Sequence, residues 1–321
     1  MKKTKFFVID GVEEDKQPLD VEGLAVEARQ QYVYLGSPFT VDGSATSAIR
    51  VQAQNKMCHT LKFISFIEKN NDIPFIVKRK VFEAALTSTL LYSFESWLNG
   101  DVKPVHKQYM WCIKQLLGVR KTTSNDLCLL ELGCPPLQFL VKQRQGKFFS
   151  EMWRERSDRE DDPLAHAFRV TLNHRSPTSH YVHDLIHSDV DELHLKAKVS
   201  MSVSGRMLMY ITINPHRSVH DIYTSKIDVN ELERVSWTRL RVSGHSLAVE
   251  EVRWNRRGRG RLPMEERLCS CGQVQTERHV IEHCPRTTAL HQQHNITTIE
   301  NLFIERKDYN TVCNICHTVP V

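Results

Sequence analysis

FIVKRKVFEAALTSTLLYSFESWL (residues 75–98) sits between two punctuation marks. Asn71-Asp72 followed by Pro74 is a helix start signal, and Asn99-Gly100 is a stop. Apolar side chains occupy most sides of the stretch, which predicts one long, largely buried helix. Helical readings continue on both sides of it. Ser44–Lys69 carries Ile49, Met57, Leu61, Ile64 and Phe66-Ile67 as an imperfect helical stripe. Pro104 opens a helix whose Val105, Tyr109, Cys112, Ile113 and Leu116 share a face, and Gly118 ends it. Ser124 is placed to cap a short helix through Leu132, with Gly133 at its end. Pro136 starts a fifth helix toward Arg156.

The first forty residues read differently. Lys5–Ile9 is a short β-branched and aromatic run stopped by Asp10-Gly11. Gln31–Gly36 and Phe39–Val41 read as two short strands around Ser37-Pro38, closed by Asp42-Gly43. The expected fold class is therefore mostly α, with a small β-hairpin region before a helical bundle. SDREDDP (157–163) is the best linker candidate. Beyond residue 163, where 14 of the 16 histidines lie, the predicted helices become shorter and more polar.

Composition bounds the classes of function. The 321 residues suggest two or three domains, and a chain that is 40% hydrophobic and 25% charged buries real cores. The net charge of +5 is mild, so its placement matters more than its size. Nine scattered cysteines, an odd number, fit a reducing compartment better than a disulfide framework. The apolar run Phe6–Ile9 is too short for a signal-peptide core, and no stretch approaches the roughly 20 apolar residues of a spanning helix. A nuclear or cytoplasmic protein, with no membrane association and no small-molecule substrate, is expected.

CSCGQVQTERHVIEHC (269–284) carries metal chemistry. Its spacing is C-x-C-x7-H-x4-C. Cys269, Cys271, His279 and Cys284 supply three thiolates and an imidazole, a tetrahedral zinc set with no open position for water, so the site is structural. An extended segment would point Cys269 and Cys271 the same way, Gly272 would allow a tight turn, and Thr276 would cap the helix presenting His279. His283 is an alternative ligand, and three unrelated thiols in a reduced protein are the bland reading. Cys313-x2-Cys316-His317 reads as buried thiols near a chain end.

Just upstream, Arg234 to Arg267 holds nine arginines, no lysine and four acids, a local excess of +5. Five fall in RWNRRGRGR: Arg253, Arg256, Arg257, Arg259 and Arg261, with Trp254 among them. Guanidinium groups grip phosphate bidentately and an indole stacks on a base. The segment reads as a nucleic-acid surface, against the simpler reading of a solvated loop.

Taken in order, these pieces resemble the C-terminal half of a non-LTR (LINE-type) retrotransposon reverse transcriptase. KTKFFVIDG (3–11) looks like the end of its palm. QYVYLGSPFTVDG (31–43) looks like its primer-grip hairpin, with Tyr34, Leu35 and Gly36 as the core. VKRKVFEAALTSTLLYSFESW (77–97) is similar to its thumb helix. RVSGHSLAVEEVRW (241–254), RLCSCG and TERHVIEHCP resemble its closing region and zinc knuckle. The resemblance implies a palm remnant with primer-grip hairpin at 1–43, a helical thumb at 44–156 and an α-rich C-terminal domain at 164–321. It implies RNA, an RNA–DNA hybrid or nicked DNA as partner. The family's Asp-Asp pair lies upstream of the segment with which this sequence opens, so Mg²⁺ is not expected to be held and the chain alone is expected not to polymerise. The expected function is that of a retrotransposon RNA-directed DNA polymerase fragment that binds polynucleotide. The alternative is a co-opted structural or interaction protein whose knuckle only stabilises the C-terminal fold. A hydrolase is disfavoured, because His183 and His187, at helical spacing, lack a glutamate in the metalloprotease position.

Overall fold

The computed structural model describes residues 4–156, 161–173, 177–187, 205–224, 229–251 and 262–318. Helices dominate these residues, with two small sheets. Strands β1 (Lys5–Phe6), β2 (Leu19–Val21) and β3 (Leu24–Ala28) form one sheet in the order β1-β3-β2, with β1 parallel and β2 antiparallel to β3. β4 (Gln31–Tyr34) and β5 (Ser37–Thr40) form an antiparallel hairpin. Helices α1 (Ala45–Lys69), α2 (Phe75–Val81), α3 (Ser88–Leu90), α4 (Lys103–Leu117), α5 (Asn125–Leu132), α6 (Leu137–Arg156), α7 (Pro163–Asn173) and α8 (Pro177–His187) follow. Then come α9 (Gly205–Ile213), α10 (Glu231–Arg241), α11 (Ala248–Glu251), α12 (Thr288–His294) and α13 (Tyr309–Thr318). Residues 157–160 of the expected linker lie outside the described residues.

One sequence expectation needs correction. The single helix expected across 75–98 stops at Leu90. Ser93 takes φ +65°, and a short 3₁₀ turn, Phe94–Ser96, follows. Nor is the helix buried on most sides, since Glu83, Ala84, Ala85 and Ser88 are exposed. The buried residues are Phe75, Lys78, Phe82, Leu86 and Leu90, spaced by fours after Lys78. A 3.6-residue helix drifts about 40° with each step of four. A wide π-turn at Phe82–Thr87 joins α2 to α3 and takes up that drift, so the stripe stays on one side. A hairpin that the sequence reading did not include joins β2 and β3. They turn at Glu22-Gly23, both at positive φ (54° and 78°), a hairpin signal disguised by glutamate at the left-handed position.

The chain forms two compact units, each gathered from separated segments. One comprises Met1–Phe63, Val81–Met110 and Pro135–Ser200; the other comprises Ile64–Lys80, Trp111–Cys134 and Met201–Val321. In the first unit, buried glutamines tie helices together. Gln108 Nε2 donates to Ala53 O (2.6 Å) and its Oε1 accepts from Thr60 Oγ1 (3.2 Å). Gln145 Nε2 donates to Phe94 O (2.8 Å) and Trp97 O (3.1 Å), while Tyr181 Oη donates to Gln145 Oε1 (2.8 Å). Phe149, Val182 and Leu185 form a buried cluster against which Tyr181 packs.

The second unit is organised on α10. Glu131 is fully buried and Arg241 is 2% exposed. Arg241 donates through Nε (2.6 Å) and Nη2 (3.1 Å) to the two Glu131 oxygens, and Tyr223 Oη donates to the same carboxylate (2.9 Å). Burial works against the Arg241 charge, yet the facing Glu131 more than offsets it and holds the guanidinium pKa above its usual value. Arg234, also 2% exposed, forks onto Glu231 and caps the end of α4 through Leu116 O and Leu117 O. Trp237 is fully buried against Phe303 and Tyr309, with ring centroids 4.5 and 4.7 Å away. α13 packs along α10 here.

Removing one partner of a buried pair leaves an uncompensated charge, at a cost of about 3–5 kcal/mol. Arg241→Met is therefore expected to destabilise the chain by about that much in urea unfolding. Glu131→Met combined with Arg241→Met should recover most of the loss, and additive losses would refute the pairing.

Candidate metal centre and hairpin tip

Cys269 starts a tight turn. Gly272 N–H donates back to Cys269 O (2.8 Å), and Gly272 sits at φ +88°, which glycine alone adopts cheaply. Cys271 therefore lies within the turn and not on an extended run, a correction to the strand-like pointing expected from spacing. Cys269 N–H donates to Gln273 O (2.7 Å) and Gln275 N–H to Arg267 O (2.8 Å), with a single bridge between Leu268 and Val274. Thr276 Oγ1 then accepts from His279 N (3.0 Å), the expected cap. A wide helical segment, His279–His283, follows, and Cys284 leaves it in extended conformation before Pro285. In an ordinary helix, residues five apart lie about 140° out of register. The wide turn brings Cys284 back to the side of His279.

The ligand atoms of Cys269, Cys271, His279 and Cys284 all lie within 4.8 Å of one another. Cys271 Sγ is 3.2 Å from His279 Nε2, and Cys269 Sγ is 3.8 Å from Cys284 Sγ, far beyond a disulfide bond of about 2.05 Å. This Cys3His cluster could hold a metal ion, and among the described residues it is the one such grouping brought together. His283, the alternative ligand, points away: its side chain is 69% exposed and lies near Glu282. Cys313 is buried with Ser236 Oγ on its sulfur (3.6 Å), and burial pushes the Cys316 thiol up to about 12. Both read as packed thiols.

Electrostatics prepare the cluster. Burial pushes the Cys269 thiol up, but the Cys271 N–H and hydrogen bonds involving His279, Cys271 and Cys284 outweigh it and bring it down to about 6. Burial raises the Cys284 thiol, and the Cys269 and Cys271 sulfurs add to that against the opposing Arg286 N–H. One sulfur is thus ready as thiolate while its neighbour keeps a proton that a cation would displace.

A buried polar network meets the cluster through Gln275, and the sequence reading missed it. Gln275 Nε2 donates to Cys269 Sγ (3.7 Å) and its Oε1 accepts from Ala248 N (2.6 Å). His245 Nδ1 accepts from Leu247 N (3.2 Å), so its Nε2 carries the proton donated to Glu277 Oε1 (2.7 Å), which Ser243 Oγ also reaches (3.2 Å). Burial raises the Glu277 pKa, but His245 and Ser243 more than offset it, so the carboxylate lies below its usual range. The missed signal was a run of polar residues, Gln275 to Glu277, too regular a part of a solvated loop to stand out.

The other expected site residues divide. Arg253, Trp254, Arg256, Arg257, Arg259 and Arg261 lie outside the described residues. Of the remaining arginines in the basic stretch, Arg234, Arg241 and Arg267 are each 2% exposed and Arg239 donates to Gly118 O (2.8 Å). Those four are held by protein groups, so the excess of charge counted over 234–267 overstates what that stretch offers a ligand. Tyr34, Leu35 and Gly36 are described, at the tip of the β4–β5 hairpin. Leu35 and Gly36 take φ +47° and +84°, and Tyr92 Oη donates to Leu35 O (2.7 Å). A Cβ on Gly36 would lie 3.2 Å from the Tyr92 ring. Tyr32, Val33, Tyr34 and Leu35 are 48%, 48%, 58% and 76% exposed.

Comparison with family models, with curated proteins and with solved structures gave no match. Among the described residues, no helix is long and apolar enough to cross a membrane.

Cys271→Ser and His279→Ala are each expected to lower bound metal, measured by elemental analysis of the purified protein, whereas His283→Ala should leave it unchanged. Affinity should weaken as pH falls through about 6, where Cys269 takes up its proton and competes with the cation. Unchanged metal content in both ligand variants would refute the assignment.

Proposed function

We propose that the chain is a polynucleotide-binding fragment of a LINE-type reverse transcriptase, with Zn²⁺ as the structural metal of its Cys3His cluster. The observation that carries the binding half of this reading is the hairpin tip. Leucine at φ +47° costs roughly 1–2 kcal/mol where asparagine or glycine would cost less. That strained residue is also the most exposed of the tip, so its own burial does not offset the cost. Strain held at an exposed apolar point supports a contact made with something else. Tyr32 and Tyr34 offer rings for base stacking, and Lys56 lies 5.6 Å from the Tyr92 ring that braces the tip.

Zinc is supported by the donor set and its spacing. Zn–S bonds of about 2.3 Å in a tetrahedron put sulfurs about 3.8 Å apart. The Cys269–Cys284 separation is 3.8 Å. Four protein donors complete the coordination and leave no place for a reacting water, so the metal's contribution is to folding.

A second reading, a structural or interaction protein, draws support from the arginines spent inside the fold. Binding of labelled single-stranded RNA across a salt series separates the two. Tyr34→Ala should weaken binding by about 1–3 kcal/mol. Replacing Arg256, Arg257, Arg259 and Arg261 with Ala should flatten the salt slope by roughly 3 units, at about 0.7 per phosphate contact. A flat, weak response of the parent chain would favour the structural reading. Primer extension by this polypeptide with Mg²⁺ should be undetectable, and a templated product would overturn the reading of these residues as binding polynucleotide without extending it.

A further inference from the structure

Arg267 and Gln275 stand between the metal cluster and two distant points of chain. Arg267 Nη1 donates to Val249 O (2.8 Å), while its Nε and Nη2 donate to Leu262 O (3.1 and 2.6 Å). One buried guanidinium therefore joins carbonyls thirteen positions apart in sequence. Gln275 repeats the connection. Its backbone O accepts from Val249 N (3.2 Å), its side-chain Oε1 accepts from Ala248 N (2.6 Å), and its side-chain Nε2 donates to Cys269 Sγ (3.7 Å). Its own N–H donates to Arg267 O (2.8 Å). Both side chains are 2% exposed.

We propose that Gln275 and Arg267 are positioning residues through which metal binding fixes α11 and Leu262 relative to the cluster. The physical reason is that groups hydrogen-bonded to metal ligands share in the ligands' order. Gln275 keeps its side chain aimed at Ala248 N only while Cys269 holds its other end. Metal fixes Cys269, Gln275 follows, and the amides of Ala248 and Val249 stay bonded. Without metal, Cys269 and Cys284 lose their common centre, and the amides two steps away lose their anchor. The proposal rests on the cluster holding a metal, and goes beyond it by assigning a reach.

Hydrogen exchange read by mass spectrometry on the full chain tests it, with Zn²⁺ content measured in the same samples. Peptides covering residues 245–251 should exchange at least tenfold faster after Zn²⁺ is removed with a chelator. Gln275→Met should give the same acceleration in that peptide with Zn²⁺ still bound, and should move the thiolate-to-metal absorption of the Co²⁺-loaded protein to longer wavelength, because the thiolate loses its N–H donor. Arg267→Lys, which keeps the charge but has no fork to span two carbonyls, should accelerate exchange while leaving that absorption in place. Zn²⁺ bound with exchange at 245–251 unaffected by its removal would overturn the inference and leave the metal centre standing. Absence of stoichiometric Zn²⁺ in the parent chain would overturn both.

Discussion

The second compact unit depends on a buried ion pair. Glu131 and Arg241 meet in a space with almost no access to water, where either charge alone would be costly. The bidentate geometry fixes α5 against α10 to within hydrogen-bond tolerance, which packing of leucines does not do. Tyr223 adds its hydroxyl to the same carboxylate, and the Arg241 guanidinium lies within 6 Å of both the Tyr210 and Trp237 rings. A planar cation between acid and aromatic faces explains why this position takes arginine: lysine has neither the fork nor the flat surface.

The same rule organises the metal region on a smaller scale. Between Leu262 and Thr287 little apolar matter is buried. Val280 and Ile281 are enclosed, but Met264 and Leu268 face water at 44% and 51%. A segment with so small a core does not offset the entropy of ordering its backbone by apolar burial alone. Buried polar groups take the place of a core, each with a partner: Arg267 on carbonyls, Gln275 on an amide and a sulfur, Glu277 on His245. Such networks specify one arrangement strongly but add modest net stability, since every bond formed replaces one with water. A cation held by the four ligand atoms would add what the network does not, a large free energy at one point.

Much of this was legible in the sequence, and the exceptions have causes. The α4 face from Val105 to Leu116 and the Gly118 and Gly133 stops follow from local periodicity and glycine's tolerance of positive φ. The cluster was legible because metal ligands are rare residue types at short spacing. The break at Leu91–Ser93 was not, because Ser93 in the left-handed region carries no signal that glycine or asparagine would have given. The pairing of Glu131 with Arg241 was hidden by a separation of 110 positions in the chain. A glutamate in an otherwise apolar run (Leu127 to Leu132) was the one trace of it, since an acid on a buried face needs a cation. The arginines were read as a single class because charge counts in sequence carry no information about which guanidinium faces water.

That separation of arginines sharpens the functional reading. A guanidinium already forked onto a carboxylate or two carbonyls has little left for a phosphate, and freeing it would expose the groups it satisfies. Arg234, Arg241 and Arg267 are therefore scaffold, and any polyanion must be met by other groups. The hairpin tip differs in kind. Its neighbours do not bury it, its backbone is held in a strained form, and Tyr92 and Gly36 fit each other closely enough that the strain is kept in place. A scaffold role would favour a relaxed Asn-Gly turn at the same point. An exposed leucine in the left-handed region, next to Tyr34 and held through its carbonyl by Tyr92, carries a backbone cost that its own burial does not offset, and on that imbalance rests the proposal that a partner completes the contact.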